Sequence, residues 1–166
     1  VLKIERNVFN AYRGGYCEIY KKRDYFEAGI TVEFPEDDHS TSRQGVLRGL
    51  HGDSKTWKLV SCSYGALYLV VLNYDETSPF FGSWEPFFLT QDNGLQILIP
   101  PMHANGHLIL SPEATFHYKQ SEYYSDGSNQ FVVKWDDPRF NIAWPVKGPI
   151  LSERDKTGLS KTQKSS

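Results

Sequence analysis

No stretch of this sequence sustains a helical hydrophobic period over about eleven residues. Short apolar runs recur instead, roughly every eight to twelve residues, with turn signals between them. That spacing belongs to an all-β sandwich, jelly roll or barrel. Residues 1–8 read as an edge strand, 10–15 as a turn, and RGGYCEIY runs on into a strand with Tyr16 and Glu18 on one face. Residues 21–25 allow a single helical turn or a loop, and 30–34 read as a strand. The polar stretch 35–45 reads as a loop or an irregular edge. After it, KLVSC and YGALYLVV read as a strand pair turning at Gly65. Residues 84–89 and 96–99 are split by Asp92-Asn93-Gly94, a hairpin signal. Residues 107–110 and 114–120 flank Ser111-Pro112, a last strand covers 131–135, and 136–149 is irregular.

The totals fit this reading. A chain of 166 residues supports one domain with a real core. A formal net charge of −2 gives no broad basic field for nucleic acid or a membrane surface. Aromatic residues make up 14 %, which suits sheets and ring-stacking sites. No apolar run approaches the ~18 residues of a membrane span, and no signal-type apolar segment opens the sequence, which points to the cytoplasm. Cys17 and Cys62 lie in strand-like runs without a CxxC motif and read as buried free thiols in a reducing compartment.

Chemistry concentrates around VLRGLH. This strand ends in His51, the loop 52–57 follows, and Lys58 opens the next strand. Strand alternation sets Arg48 and Leu50 on one face and their odd-numbered neighbours on the other. His51 stands at the strand's end, where the register can break. One imidazole among basic side chains reads as a general base inside a small-anion pocket.

Further motifs carry a resemblance. LRGLH with Lys58 seven residues on, SPFFGSWE, IPPMHANGHLIL, FHYKQSEYY, KWDDP, IAWP and PILSERD follow one another along residues 10–155. In kind and order they resemble the dTDP-4-dehydrorhamnose 3,5-epimerase family. The resemblance implies one cupin-like jelly-roll domain over 1–158, a double-stranded β-helix, with a flexible tail at 159–166. It implies a homodimer with exchanged N-terminal strands, no metal and no cofactor. It also implies an isomerase that inverts carbon 3 and/or carbon 5 of a nucleotide-linked 4-keto-6-deoxy sugar in capsule, lipopolysaccharide or deoxysugar synthesis.

A 4-keto group acidifies the hydrogens on both neighbouring carbons. Inversion needs a base on one face, a weak acid on the other, and a cation beside the enolate oxygen. By resemblance His51 is the base, Asp155 its orienting carboxylate, Tyr118 the acid and Lys58 the enolate stabiliser. Arg48 matches a diphosphate-binding arginine. Arg13 and Glu18 match residues that reach the nucleotide from the partner subunit, and Tyr124 an aromatic beside nucleotide or sugar.

Four departures stand out. Asn105 replaces the histidine of the family's AHGF pattern, keeping a donor and an acceptor without a charge. Gly52-Asp53 replaces the aromatic that follows LRGLH. Ala11 replaces an Asp before RG. Glu36-Asp37-Asp38 stands where a Gln-x-Asn pair is expected. Two carboxylates, Glu36 and Asp38, suit the adjacent donors of guanine better than the mixed edge of thymine. Such departures resemble the family's branch acting on GDP-linked 6-deoxy-4-keto-heptoses. Two rival classes are a metal-dependent cupin, for which His51, Asp53, His103 and His107 are poorly spaced, and a non-catalytic sugar-nucleotide-binding cupin.

Overall fold

The computed structural model describes residues 1–158; the tail expected at 159–166 lies outside the described residues. In chain order the elements begin β1 (Leu2–Glu5), β2 (Val8–Ala11), β3 (Gly14–Cys17), α1 (Lys22–Glu27), β4 (Glu36–Arg43), β5 (Leu47–Gly52) and β6 (Lys58–Tyr64). They continue β7 (Ala66–Asn73), β8 (Trp84–Thr90), β9 (Leu95–Ile99), β10 (His103–Ile109), β11 (Glu113–Gln120), β12 (Phe131–Val132) and α2 (Glu153–Thr157). Two five-stranded sheets, ordered β1-β9-β6-β11-β4 and β12-β5-β10-β7-β8, enclose one core; β2 and β3 form a separate hairpin.

From β4 to β12 the chain crosses between the sheets at every step except β7 to β8. This alternation is the jelly roll, and it corrects two expectations. KLVSC and YGALYLVV are consecutive but not paired: β6 bonds β9 and β11, while β7 bonds β8 and β10. Gly65, at φ +74°, turns so close to β11 that a Cβ would stand 2.2 Å from the Glu113 carbonyl oxygen. The Asp92-Asn93-Gly94 turn likewise carries the chain across the core edge and not into a two-residue hairpin. Asn93 Oδ1 accepts from the N–H groups of Thr90 and Leu95 there, each at 3.2 Å.

Apolar side chains from both sheets, among them Val60, Leu69, Val71, Ile97, Ile109 and Phe116, fill the space between them. The outer faces are covered too. Residues 131–144 cover one with Val133, Phe140 and Trp144, packed on Val70 and Leu72. Tyr20, Tyr25, Ile30 and Phe34 cover the other, packed on Leu59 and Leu98. Burial on both faces explains why β6, β7 and β9 read as continuous apolar runs.

Two edge features differ from expectation. Residues 35–45 contain a full strand: β4 pairs with β11 from Glu36↔Gln120 to Arg43↔Glu113. Its inward residues, Glu36, Asp38, Ser40 and Ser42, are polar, so no apolar alternation announces it. Residues 30–34 are not a strand but a covering segment held by its side chains. Both cysteines are free; Cys62 is buried as expected, whereas Cys17 is only half-buried. Among the described residues no helix is long and apolar enough to cross a membrane.

Candidate active site

Ser40, on the inner face of β4, borders a cavity of about 580 Å³ between the sheets, and the bend in β5 sets what enters it. On β10, His107 pairs with Arg48 and Asn105 with His51, so four β5 positions span three on β10. This bulge breaks the alternation expected along β5. Arg48 and His51 both line the cavity, while Leu50 turns out into the aromatic layer. Gly49 makes the bend, at φ +113°, where a Cβ would stand 2.5 Å from the Asn105 carbonyl oxygen.

His51 Nε2 bonds Asp155 Oδ1 at 2.7 Å. The carboxylate fixes the proton on Nε2 and leaves Nδ1 as the basic nitrogen. Asp155 sits in α2, a five-residue helix begun by the motif Ser152-x-x-Asp155. Ser152 Oγ, the N-cap, accepts from the Asp155 N–H and donates to Asp155 Oδ2 at 2.9 Å, which fixes the carboxylate's orientation. Burial pushes the Asp155 carboxyl upward, but the bonds from His51, Ser152 and the Gly49 N–H prevail and hold it below its ordinary value. Burial pushes the His51 pKa below its ordinary value, and Asp155 opposes that shift in part. The imidazole is therefore neutral and ready to accept a proton at physiological pH.

The opposite sheet supplies Lys58 and Tyr118. Lys58 is 8 % exposed and donates from Nζ to Asn105 Oδ1 at 3.3 Å. Burial pulls its pKa down, and among the described residues no carboxylate oxygen lies within 4.0 Å of Nζ. A buried cation without a close ion-pair partner favours negative charge brought beside it. Tyr118 lies against Phe116, ring centroids 5.4 Å apart. Burial raises its pKa, as do Asp38 and Glu36, which keeps the phenol protonated.

A sequence profile described as dTDP-4-dehydrorhamnose 3,5-epimerase matches residues 1–162. The enzyme of that name from Shigella flexneri is 40 % identical over 162 residues, 95 % of this chain and 89 % of its own. The chain belongs to the dTDP-4-dehydrorhamnose 3,5-epimerase family. Solved structures agree. The dTDP-6-deoxy-D-glucose-3,5-epimerase of Legionella pneumophila, in complex with dTDP-4-keto-L-rhamnose, is 36 % identical with a TM-score of 0.88, over 94 % of this chain and 85 % of that one. A 4-keto-6-deoxy sugar epimerase from the novobiocin cluster of Streptomyces spheroides has a TM-score of 0.88 at 29 % identity, over 95 % and 80 %.

Of the residues expected to form the family's site, His51, Lys58, Tyr118, Asp155, Arg48, Asn105 and Tyr124 all line the one cavity. Arg48 is braced by its Nε–H on Ser42 Oγ at 3.0 Å, which leaves its terminal nitrogens for a ligand. Glu36 and Asp38 do not present free carboxylates. Gln120 Nε2 donates to Glu36 Oε1 at 2.8 Å and to Asp38 Oδ2 at 3.2 Å, and the Tyr124 N–H donates to Glu36 Oε2 at 3.0 Å. These carboxylates position Gln120 and Tyr124 across the strand edge, so the base-pairing argument for guanine loses its footing. Arg13 and Glu18 are not brought to the cavity. Both are exposed on or beside the β2–β3 hairpin, and Glu18 pairs with Lys21 at 2.8 Å.

The cavity also holds residues that sequence reasoning did not assign to the epimerase site: His107, Gln120, Ser152 and Arg154. Arg154 Nη2 donates to Gln130 Oε1 at 3.1 Å, and its buried Nε has no partner among the described residues. The Ser152-x-x-Asp155 spacing was a readable signal for α2, and His107 stands where the AHGF pattern ends in phenylalanine. Among the described residues no three His, Cys, Asp or Glu side chains gather as a metal-binding group.

Proposed function

We propose that this protein is a nucleotide-sugar epimerase that inverts carbon 3 and/or carbon 5 of a 4-keto-6-deoxy sugar through an enolate. The observation that carries the reading is the His51–Asp155 pair at 2.7 Å, facing the same cavity as Tyr118 and Lys58 from the opposite sheet. His51 Nδ1 takes the proton from the carbon beside the ketone. The C–H electron pair becomes the enolate double bond, and negative charge moves to the former carbonyl oxygen. Lys58, buried without a carboxylate, stabilises that oxygen. Tyr118 O–H delivers a proton to the carbon's other face as the ketone re-forms, which inverts the centre. Asp155 stabilises the imidazolium until solvent removes its proton.

The nucleotide follows the relatives, whose names carry dTDP, and Arg48 is placed for its diphosphate. The exposed hairpin carries Phe9, Tyr12 and Tyr16, each more than half exposed. That surface supports a homodimer in which Arg13 and Glu18 reach the neighbour's cavity. The free thiols Cys17 and Cys62 fit a reducing compartment, the cytoplasm.

The test is proton NMR of the protein with dTDP-4-keto-6-deoxyglucose in heavy water. Deuterium should enter at carbon 3, at carbon 5 or at both, and an inverted product should appear. A sugar that keeps all its ring protons through a long incubation would end the reading.

A further inference from the structure

His107 has no part in the chemistry just described, yet it is built into the cavity wall. It lies two residues beyond Asn105 on β10, on the same strand face, and its register partner on β5 is Arg48. The ring stacks on Phe116 at 4.0 Å between centroids and 14° between planes. It is 4 % exposed and lines the cavity, and its buried Nε2 has no hydrogen-bond partner among the described residues. Burial, then the charges of Arg48 and His51, push its pKa down to about 3, so the imidazole stays neutral in any working pH range. A phenylalanine, the residue of the family's AHGF pattern at this place, would fill the same space and stack on Phe116 with no unpaired nitrogen. An unpaired buried nitrogen is a cost to the free protein that a ligand contact would offset.

The cavity has two ends. Lys58 and Asn105 mark one, joined by their hydrogen bond. His107 and Arg48, a register pair, mark the other. Two residues of strand separate Asn105 from His107, about 6.7 Å, a length comparable to a pyranose ring. With the keto oxygen at Lys58, the glycosidic oxygen and its phosphate fall beside His107 and Arg48.

We propose that His107 is a substrate-binding residue whose neutral imidazole donates a hydrogen bond to the sugar-proximal phosphate, beside the guanidinium of Arg48. This rests on the nucleotide-sugar reading above. Arg48 supplies charge, and His107 supplies a directed donor that adds no second cation to a buried site.

The experiment is calorimetric titration of the full-length protein, H107F and H107Q with dTDP and with dTMP, which lacks the sugar-proximal phosphate. H107F should lose about 10- to 100-fold in dTDP affinity, the range for a hydrogen bond to a charged group, while its dTMP affinity stays within about twofold. H107Q, which keeps a donor, should recover most of the loss, and H107F should melt no earlier than the parent because the stack survives. Equal dTDP binding by the parent and H107F overturns the proposal and leaves the epimerase reading standing. So does an equal loss for dTDP and dTMP, or H107Q as weak as H107F. A parent protein that binds no dTDP overturns both.

Discussion

His51 and Tyr118 face one cavity from opposite sheets, and their surroundings differ in kind. His51 is bonded to a carboxylate that is itself held by a helix cap and a backbone N–H. Tyr118 has no hydrogen-bond partner among the described residues; it rests on Phe116 with Asp38 and Glu36 nearby. In the reaction proposed above, the base carries a partner because it must become charged, inside a wall that disfavours charge. The acid needs none, because burial and negative neighbours already keep its proton in place. One wall is organised to stabilise a charge that appears; the other is organised to withhold a charge until the enolate demands the proton.

The largest effect should come from removing the base. His51→Asn leaves no group on that wall able to take a proton near neutrality, and general-base catalysis is typically worth ~10²–10⁴-fold. Exchange of the ring hydrogens beside the ketone, followed by NMR in heavy water, should fall by that factor. Exchange at the unmodified rate would show that the two walls are not divided as described.

Tyr118→Phe attacks the other wall and should split two readouts that His51→Asn lowers together. Proton removal and return on the His51 face should continue, so deuterium still enters the sugar. Formation of inverted product should drop by roughly 10²-fold, the low end for a lost general acid. If exchange and inversion vanish together, Tyr118 shapes the cavity and the division between base and acid is wrong.

How far the sequence disclosed these walls depends on what each strand faces. Doubly buried strands such as β7 were legible from continuous apolar runs; their spacing gave the all-β class, and the family resemblance narrowed it to the jelly roll. Strand β4 was not, because its inward residues Glu36, Asp38, Ser40 and Ser42 are polar and carry no apolar alternation. Pairing was misjudged at Gly65 and at Asn93-Gly94, since a turn residue shows that the chain bends but not whether the next strand joins the same sheet. His51, Lys58, Tyr118 and Asp155 were placed by motif. The bulge that turns both Arg48 and His51 inward was not readable, because strand alternation puts them on opposite faces. His107 was weighed only as a poorly spaced metal ligand, because a histidine in an apolar strand looks like packing until its neighbours are known.

Asp155→Asn should have a smaller effect than losing the base, with a pH signature that a structural defect would not produce. The working imidazole is neutral, so kcat/KM falls as pH drops through the His51 pKa. Burial places that pKa below the ordinary value, while the Asp155 charge holds it up in part. Without the charge the pKa drops further, and the acid limb of kcat/KM should move to lower pH even as the neutral-pH rate declines. An acid limb that stays in place, or moves to higher pH, would separate Asp155 from the base.

The smallest effect tests whether the two walls are the whole site. Arg13 belongs to neither; it stands exposed at the tip of the β2–β3 hairpin, and the contact it makes is with the Tyr12 ring, 6.0 Å from its guanidinium carbon to the centroid. Arg13→Ala should therefore leave the melting temperature unchanged, since nothing buried is lost. If the hairpin completes a neighbour's cavity, the substitution should weaken dTDP binding about two- to fivefold, the scale of a solvent-screened charge contact. It should leave the ratio of exchange to inversion untouched, because that ratio is set by His51 and Tyr118. Light scattering should report a dimer for both proteins, with Phe9 and Tyr16, at 62 % and 65 % exposure in one chain, covered in the pair. A monomer with full activity would remove the hairpin from the site and leave the two walls as its complete description.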